Sequence, residues 1–547
     1  MSPEAAPPAH PSPADKEKDA SLKEILFYAL GSVEGTLSNP FFNLINTLMI
    51  VALGMNPVFL GLILGIKTLW DGIADPLMAH VTDNARTRWG RRRPFILFGG
   101  VTRVLLLVAI FGFFPRDPSI KTNAALASEQ TAAHATAKAT DHTPSPVQAS
   151  PAAAIANAPI PTPEAKTGMI DKIKLGIAEF KAAGNAYHRE VIIYLLAACL
   201  LFTTLGTFFN VPYYALGIEL CPSYDGRTRV VTYRSIVNKL GGFVSPWILP
   251  FCFLTIFTTV VDGLFWYGVI CASVGVPATV LMVRYSKERL YLPPSGKKNA
   301  PGLLRSIWLT AKNVHFLKIL LLYKIIGYSN GIFAQIGLFL SIYWVYSGDA
   351  LAGATLGGYT GTLAALLTLI SLPVINWACR RLQKHRALRY GIIWMSIGSA
   401  LNWVLINPAH PYWQLVLPFF FSIGISSVFT ILPTMMADVT DIDELRTGAR
   451  REGMFGAVMG FLMKLTGTLE PVLAGVVLLI AGFDSTLGAH QAPETILRMR
   501  LMFSLIPAGL MLLGLIVLWR YPLTREYMAE VKEQLLSRRA AQAVADK

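Results

Sequence analysis

Residues 70–94 read WDGIADPLMAHVTDNARTRWGRRRP. An apolar helix carrying Asp71 and Asp75 runs here into a turn that holds Asp83, Arg86, Arg88, Arg91, Arg92 and Arg93. Upstream, from Pro57, the chain is apolar for long enough to enter a bilayer, whose hydrocarbon core needs roughly 20 such residues per helical crossing. At ~1.5 Å per residue, Asp71 lies about 21 Å along a helix that starts at Pro57, past the midplane. Asp71 and Asp75 are one turn apart, so both carboxylates leave the same helix face. A charge at that depth costs at least ~2.5 to 3.5 kcal/mol on insertion scales, so the two together require a partner or a wet cavity. Two readings follow: a site for a cation or proton, and a structural ion pair with Lys67, one turn earlier.

The rest of the 547 residues has the same character. The chain is 53% hydrophobic and 15% charged, with a mean hydropathy of +0.48, well above a soluble domain. The apolar runs are continuous and do not alternate, which predicts helices and excludes a barrel. Crossings are expected near 25–50, 57–80, 94–114, 190–220, 231–257, 264–284, 316–346, 353–379, 389–407, 412–437, 453–482 and 498–520. The fold class is therefore an all-α membrane protein of twelve transmembrane helices in two six-helix halves.

The net charge of +15 does not imply a nucleic-acid surface, because the basic residues gather in alternate joints. The joints at 54–56, 259–263, 347–352 and 408–411 contain no Lys or Arg, whereas Arg380, Arg381, Lys384 and Arg386 crowd another. The positive-inside rule then places both termini in the cytoplasm and the protein in the cell membrane. The five cysteines form no CxxC pair, so neither a disulfide framework nor a zinc site is expected.

Residues 1–22 read as a disordered cytoplasmic tail and 523–547 as a second cytoplasmic tail. The N-terminal half is expected over 23–284, interrupted by a disordered outer insertion at 115–189 rich in Ala, Thr, Pro and Ser. Its end, DKIKLGIAEFKAAG (171–184), has the pattern of a short amphipathic surface helix or a solvated one. A central cytoplasmic loop, 285–315, precedes the C-terminal half at 316–522. The halves echo each other: each passes from an acid at the end of its fourth crossing, through a basic turn, into a new helix. Paired halves around a cavity are what alternating access needs.

Four motifs stand in order: WDGIADP with RTRWGRRRPFIL (70–97), NVPYYALGIEL (210–220), RTRVVTYR (227–234) and MMADVTDIDELRTGARREGMF (435–455). Together they resemble the glycoside-pentoside-hexuronide:cation symporters of the major facilitator superfamily, the melibiose permease-like family, over nearly all the crossings. The resemblance implies a secondary active transporter that carries a sugar, glycoside or uronide with a proton or sodium ion. It places the cation at Asp71, Asp75, Thr207 and Asn210, and the substrate at Glu34, Arg234 and Lys464; Asn43 and Tyr214 join the expected substrate residues from the polar stripes of their helices. Two positions depart from the melibiose permease: Asn210 stands in place of an aspartate, and Gly460 in place of a threonine. Asn210 keeps an acceptor but loses the charge, which tilts the coupling ion toward a proton.

Periodicity independently suggests a wet cavity. Asn39, Asn43 and Asn46 share a face of the first crossing, and Thr203, Thr207, Asn210 and Tyr214 share one of the fourth; helix packing through hydrogen bonds is the plainer reading of either stripe alone. Glu34 has an ion pair with Lys464 or Arg234 as its structural alternative. Tyr343, Trp344 and Tyr359 have the chemistry to stack on a sugar, although interfacial belts explain most membrane aromatics. Asp83, Arg88, Arg91, Asp438 and Arg446 are expected to gate the inner face. With no GxxxxGK[ST], GxSxG or HExxH, neither a pump nor an enzyme is indicated, and no cofactor or resident metal beyond a sodium ion is called for. The expected partners are a small polar solute and membrane lipid, with the chain acting as a monomer. The rival function is a carrier of lysolipid or another amphiphile on the same fold.

Overall fold

A computed structural model of the chain describes residues 19–116, 122–123, 186–221, 224–288, 310, 312–447, 452–484, 487, 490–519 and 521–545. Described residues are helical or connecting, with a lone bridge between Thr122 and Thr259. The helices are α1 Leu22–Ser38, α2 Phe41–Leu53, α3 Pro57–Asn84, α4 Arg93–Gly112, α5 Ala186–Glu219, α6 Tyr224–Val244, α7 Ile248–Cys252 and α8 Val260–Tyr285. They continue with α9 Val314–Leu340, α10 Ala350–Leu382, α11 Lys384–Leu405, α12 Leu417–Thr447, α13 Glu452–Gly467, α14 Leu469–Ala481, α15 Pro493–Leu518 and α16 Arg525–Ala545.

Among the described residues, nine helical spans are long and apolar enough to cross a membrane. Three of the expected crossings fall outside these nine. The first is divided into α1 and α2 around Asn39 and Pro40. The fifth, with its basic α6, bends through a 3-10 turn at Ser245–Trp247 into α7. The ninth, α11, opens with Lys384, His385 and Arg386. Helix starts follow local chemistry. Ser21 accepts from the Glu24 amide at 3.3 Å while the Glu24 carboxylate accepts from the Ser21 amide at 2.9 Å, so α1 begins within the expected tail. Asn56, Asn313 and Asp349 cap α3, α9 and α10 through side-chain oxygens.

Lipid tails are as apolar as leucine, so close approach and interdigitation, not the hydrophobic effect, hold such helices together. A Cβ on Gly99 of α4 would lie 2.6 Å from the Phe209 amide nitrogen of α5. Farther along the same helices Phe41, Phe111 and Phe202 knit α2, α4 and α5, with ring centroids 4.4 Å (Phe202) and 5.8 Å (Phe111) from Phe41.

The ends of the 115–189 stretch depart from the expected disorder. Asn123 donates through its side chain to the carbonyls of Cys252 and Leu254 at 3.2 and 2.9 Å, and α5 starts at Ala186. The 171–184 segment lies outside the described residues. At the C-terminus, α16 packs on α12 and Arg538 donates to the Leu445 carbonyl at 2.7 Å, so the second expected tail is a docked helix.

Candidate functional site

The site assembles where α3, α5 and α13 meet. Lys464, on α13, places its ammonium 2.7 Å from the Asp71 carboxylate, and also bonds to the Asp75 carboxylate. All three side chains are about one-third exposed, at 32%, 27% and 33% respectively, so water reaches them. Thr207 donates weakly to Asp71 at 3.5 Å, and the Trp70 indole donates to Thr204 at 2.9 Å, which binds α3 to α5. Within the trio one ammonium faces two carboxylates, and a monovalent cation at either carboxylate would compete with Lys464 for it.

Lys67 lies within electrostatic reach of Asp71 but makes no direct bridge to either aspartate among the described contacts. Its ammonium sits 3.8 Å from the centre of the Phe42 ring, a cation–π contact.

Of the expected substrate residues, Arg234 and Tyr214 come together, with the guanidinium 4.8 Å over the exposed tyrosine ring. Asn210 lies on the same face of α5 and is half-buried. Below them Tyr28 and Tyr213 lock α1 to α5: their rings stack at 4.6 Å and each hydroxyl donates to the other's carbonyl at 3.0 Å.

Glu34 is placed elsewhere. It is fully buried and paired with Arg103 of α4 at 3.2 Å, and it accepts from Ser38 at 3.0 Å. Arg103 also donates to Asn39 at 3.0 Å and lies over the Phe202 ring at 4.5 Å. The sequence reading did not single out Arg103. A charge in the middle of FGGVTRVLLL was the available signal, because an arginine at that depth demands a carboxylate. The amide stripe is divided too: Asn39 serves Arg103, Asn43 is exposed, and Asn46 is buried with its side-chain oxygen unbonded. Thr203 is likewise buried with no partner for its hydroxyl.

The aromatic candidates are already engaged. Tyr343 is buried and stacks on Phe339, Trp344 lies over Arg500 at 5.1 Å, and Tyr359 meets Trp247 edge-on at 5.2 Å.

At the end expected to face the cytoplasm, Glu219 of α5 bonds Arg91 and lies 2.9 Å from Arg92, which reaches Asp83 at 3.4 Å. Glu288 accepts from the amides of Arg91, Arg92 and Arg93 at 2.8, 2.8 and 3.1 Å, an anion on the positive start of α4. Arg88 is exposed. Asp438 pairs with Lys384 at 2.6 Å, and Arg446, in the last turn of α12, is exposed.

The opposite ends of the helix sets touch. A Cβ on Gly61 would meet the Pro471 carbonyl oxygen at 2.6 Å, and one on Gly475 the Pro57 carbonyl oxygen at 2.7 Å. Trp247 donates to Thr362 at 2.9 Å beside Gly361, whose Cβ position is 2.6 Å from Pro246.

The profile of a family described as MFS/sugar transport protein matches residues 27–126 and 180–525. An uncharacterized symporter of Synechocystis is 26% identical over 89% of this chain and 91% of its own length. The glucuronide carrier protein homolog of Escherichia coli is 24% identical over 95% of this chain and 97% of its own. A bacterial homolog of the lysosomal transporter Spinster, in an inward-facing, occupied form, superposes with a TM-score of 0.51 at 12% identity, covering 94% of this chain and 97% of that one. That last likeness concerns the fold.

Proposed function

Because the chain belongs to the MFS/sugar transport family, we propose that this multi-pass membrane protein couples entry of a sugar, glycoside or uronide to one monovalent cation bound at Asp71 and Asp75. The observation that carries the reading is the bridge from Lys464 on α13 to both aspartates on α3. In it, the C-terminal helix set supplies the ammonium and the N-terminal set the acids, so the empty carrier holds its own counter-charge across the interface between its two halves. A cation at the carboxylates weakens their hold on Lys464 and frees the ammonium to donate to substrate oxygens, with Arg234 and Tyr214 as further substrate contacts. Binding of ion and solute is thereby linked by charge.

The contacts of Gly61 with Pro471 and of Trp247 with Thr362 close the end expected to face outward. The state described is, in this reading, inward-facing with both termini in the cytoplasm, in the cell membrane. The coupling ion is a proton. Asn210 brings no charge to the site, and an aspartate that exchanges Lys464 for a proton needs no further ligand.

The test is uptake of radiolabelled glycosides and uronides, with a lysophospholipid alongside, by cells expressing the protein. A glycoside or uronide should accumulate without sodium and alkalinise a lightly buffered medium. Uptake of the lysophospholipid alone would overturn the substrate class, and uptake that appears only with sodium would overturn the proton.

A further inference from the structure

The helix that carries Lys464 is interrupted one turn beyond it, and the interruption has its own polar fittings. Pro471 has no N–H to give the Gly467 carbonyl, and its ring crowds that carbonyl, so α13 ends at Gly467 and α14 restarts at Leu469. In hydrocarbon, carbonyls turned out of a helix ladder need donors. Two come from one face of α9. Lys324, 9% exposed, donates its ammonium to the Met463 carbonyl at 2.7 Å, and Tyr328, one turn on, donates its hydroxyl to the Thr466 carbonyl at 2.7 Å.

The charges suit the broken helix. The Lys324 ammonium stands at the negative end of α13, and Glu470 stands in the first turn of α14, at its positive end. The Glu470 carboxylate fills the space a side chain at Gly331 of α9 would take, and the Cβ position of Gly467 lies 3.7 Å from both the Lys324 ammonium and the Thr68 methyl of α3. Thus α9, α13 and α3 converge at the break. Met463, whose carbonyl Lys324 holds, directly precedes Lys464.

We propose that Lys324 and Tyr328 are positioning residues for the coupling site: by holding the Met463 and Thr466 carbonyls they fix the end of α13, and with it the reach of Lys464 to Asp71 and Asp75, while Glu470 supplies the balancing charge across the break. The proposal rests on the reading that the two aspartates bind the coupling cation. Lys324 touches neither cation nor solute; it acts through Lys464.

The experiment uses the full chain in proteoliposomes, comparing Lys324→Met, Lys324→Arg, Tyr328→Phe and Asp71→Asn. It measures uphill uptake of the transported solute as a function of the driving cation, and also solute exchange at equilibrium, which needs no net cation movement. Lys324→Met should lower the cation concentration for half-maximal uptake about tenfold or more, the scale of losing a charged hydrogen bond, because a loosened Lys464 competes less for the aspartates, with exchange within about twofold of the parent. Tyr328→Phe should act the same way more weakly, and Lys324→Arg should return the value most of the way to that of the parent. If Lys324→Met does not fold, Tyr328→Phe carries the test through the same two readouts.

An unchanged cation dependence in a folded variant, while Asp71→Asn abolishes uphill uptake, would overturn the positioning role alone. Parallel loss of uptake and exchange without rescue by arginine would do the same, since that is a general structural effect. Uphill uptake surviving in Asp71→Asn would overturn both the coupling site and this proposal.

Discussion

The Lys464 ammonium lies 2.7 Å from the Asp71 carboxylate, across an interface between helices 393 residues apart in the chain. Neutralising Lys464 leaves the two carboxylates without their bridging ammonium, with Lys67 near Asp71 as the remaining built-in positive charge, so the cation takes a larger share of their compensation. Lys464→Met should weaken exchange of solute between loaded states by the loss of one donor but slow net uptake at least tenfold more, because the empty carrier returns with less of its charge compensated, at a cost on the order of that of an unpaired half-buried ion. Comparing exchange with net uptake in proteoliposomes checks this. Equal loss of both would mean that Lys464 serves substrate binding alone.

Glu34 and Arg103 are both buried and face each other at 3.2 Å. Removing one partner of such a pair costs about 3 to 5 kcal/mol, whereas removing both costs less than the sum. Glu34→Gln and Arg103→Gln should each lower the unfolding temperature in detergent, and the double variant should be more stable than additivity predicts. A Glu34→Gln protein of unaltered stability with weakened solute binding would restore Glu34 to the substrate site.

The outcome at these two pairs separates what the sequence made legible from what it did not. Depth and spacing along one helix are local properties, so Asp71 and Asp75 were readable as a charged pair in the membrane. Their partner was not, because Lys67 is one turn away in sequence while Lys464 comes from a helix only the tertiary fold brings near. The Lys67 side chain follows a different route, to Phe42. Arg103 illustrates the same limit from the other side: its burial was legible from the apolar run around it, but not its pairing with Glu34. The helical class and the long apolar spans followed from composition and run length. The first crossing was expected unbroken over 25–50; its division has its cause in Pro40, whose ring disfavours an unbroken helix through that point.

Closure of the end expected to face outward relies on backbones touching at Gly61 and Gly475. A β-branched side chain at Gly61 overlaps the Pro471 carbonyl oxygen, 2.6 Å from its Cβ position, and overpacking of this kind costs ~1 to 3 kcal/mol in the closed state alone. Since ~1.4 kcal/mol is tenfold in a population, Gly61→Val should shift the equilibrium toward the outward-open form. Spin labels in the 54–56 and 347–349 joints, with the native cysteines replaced, should then report a longer distance. An unchanged distance distribution would place the closing contact elsewhere.

The Glu288 carboxylate accepts three successive amides at the start of α4, within 2.8 to 3.1 Å. Glu288→Ala should cost ~1 to 3 kcal/mol for the amides left unpaired, and faster hydrogen exchange at residues 91–93 than at mid-helix α4 should accompany it. Uniform exchange along α4 in the variant would show that the cap is dispensable.

Coupling at Asp71 and Asp75 is tested most directly by uphill accumulation in proteoliposomes under an imposed cation gradient. Asp71→Asn and Asp75→Asn should bring solute only to equal concentrations on the two sides, at fixed membrane potential and for either a proton or a sodium gradient, while exchange of solute continues. Accumulation above equilibrium by both variants, at the level of the parent protein, would contradict the assignment of these aspartates to the coupling cation.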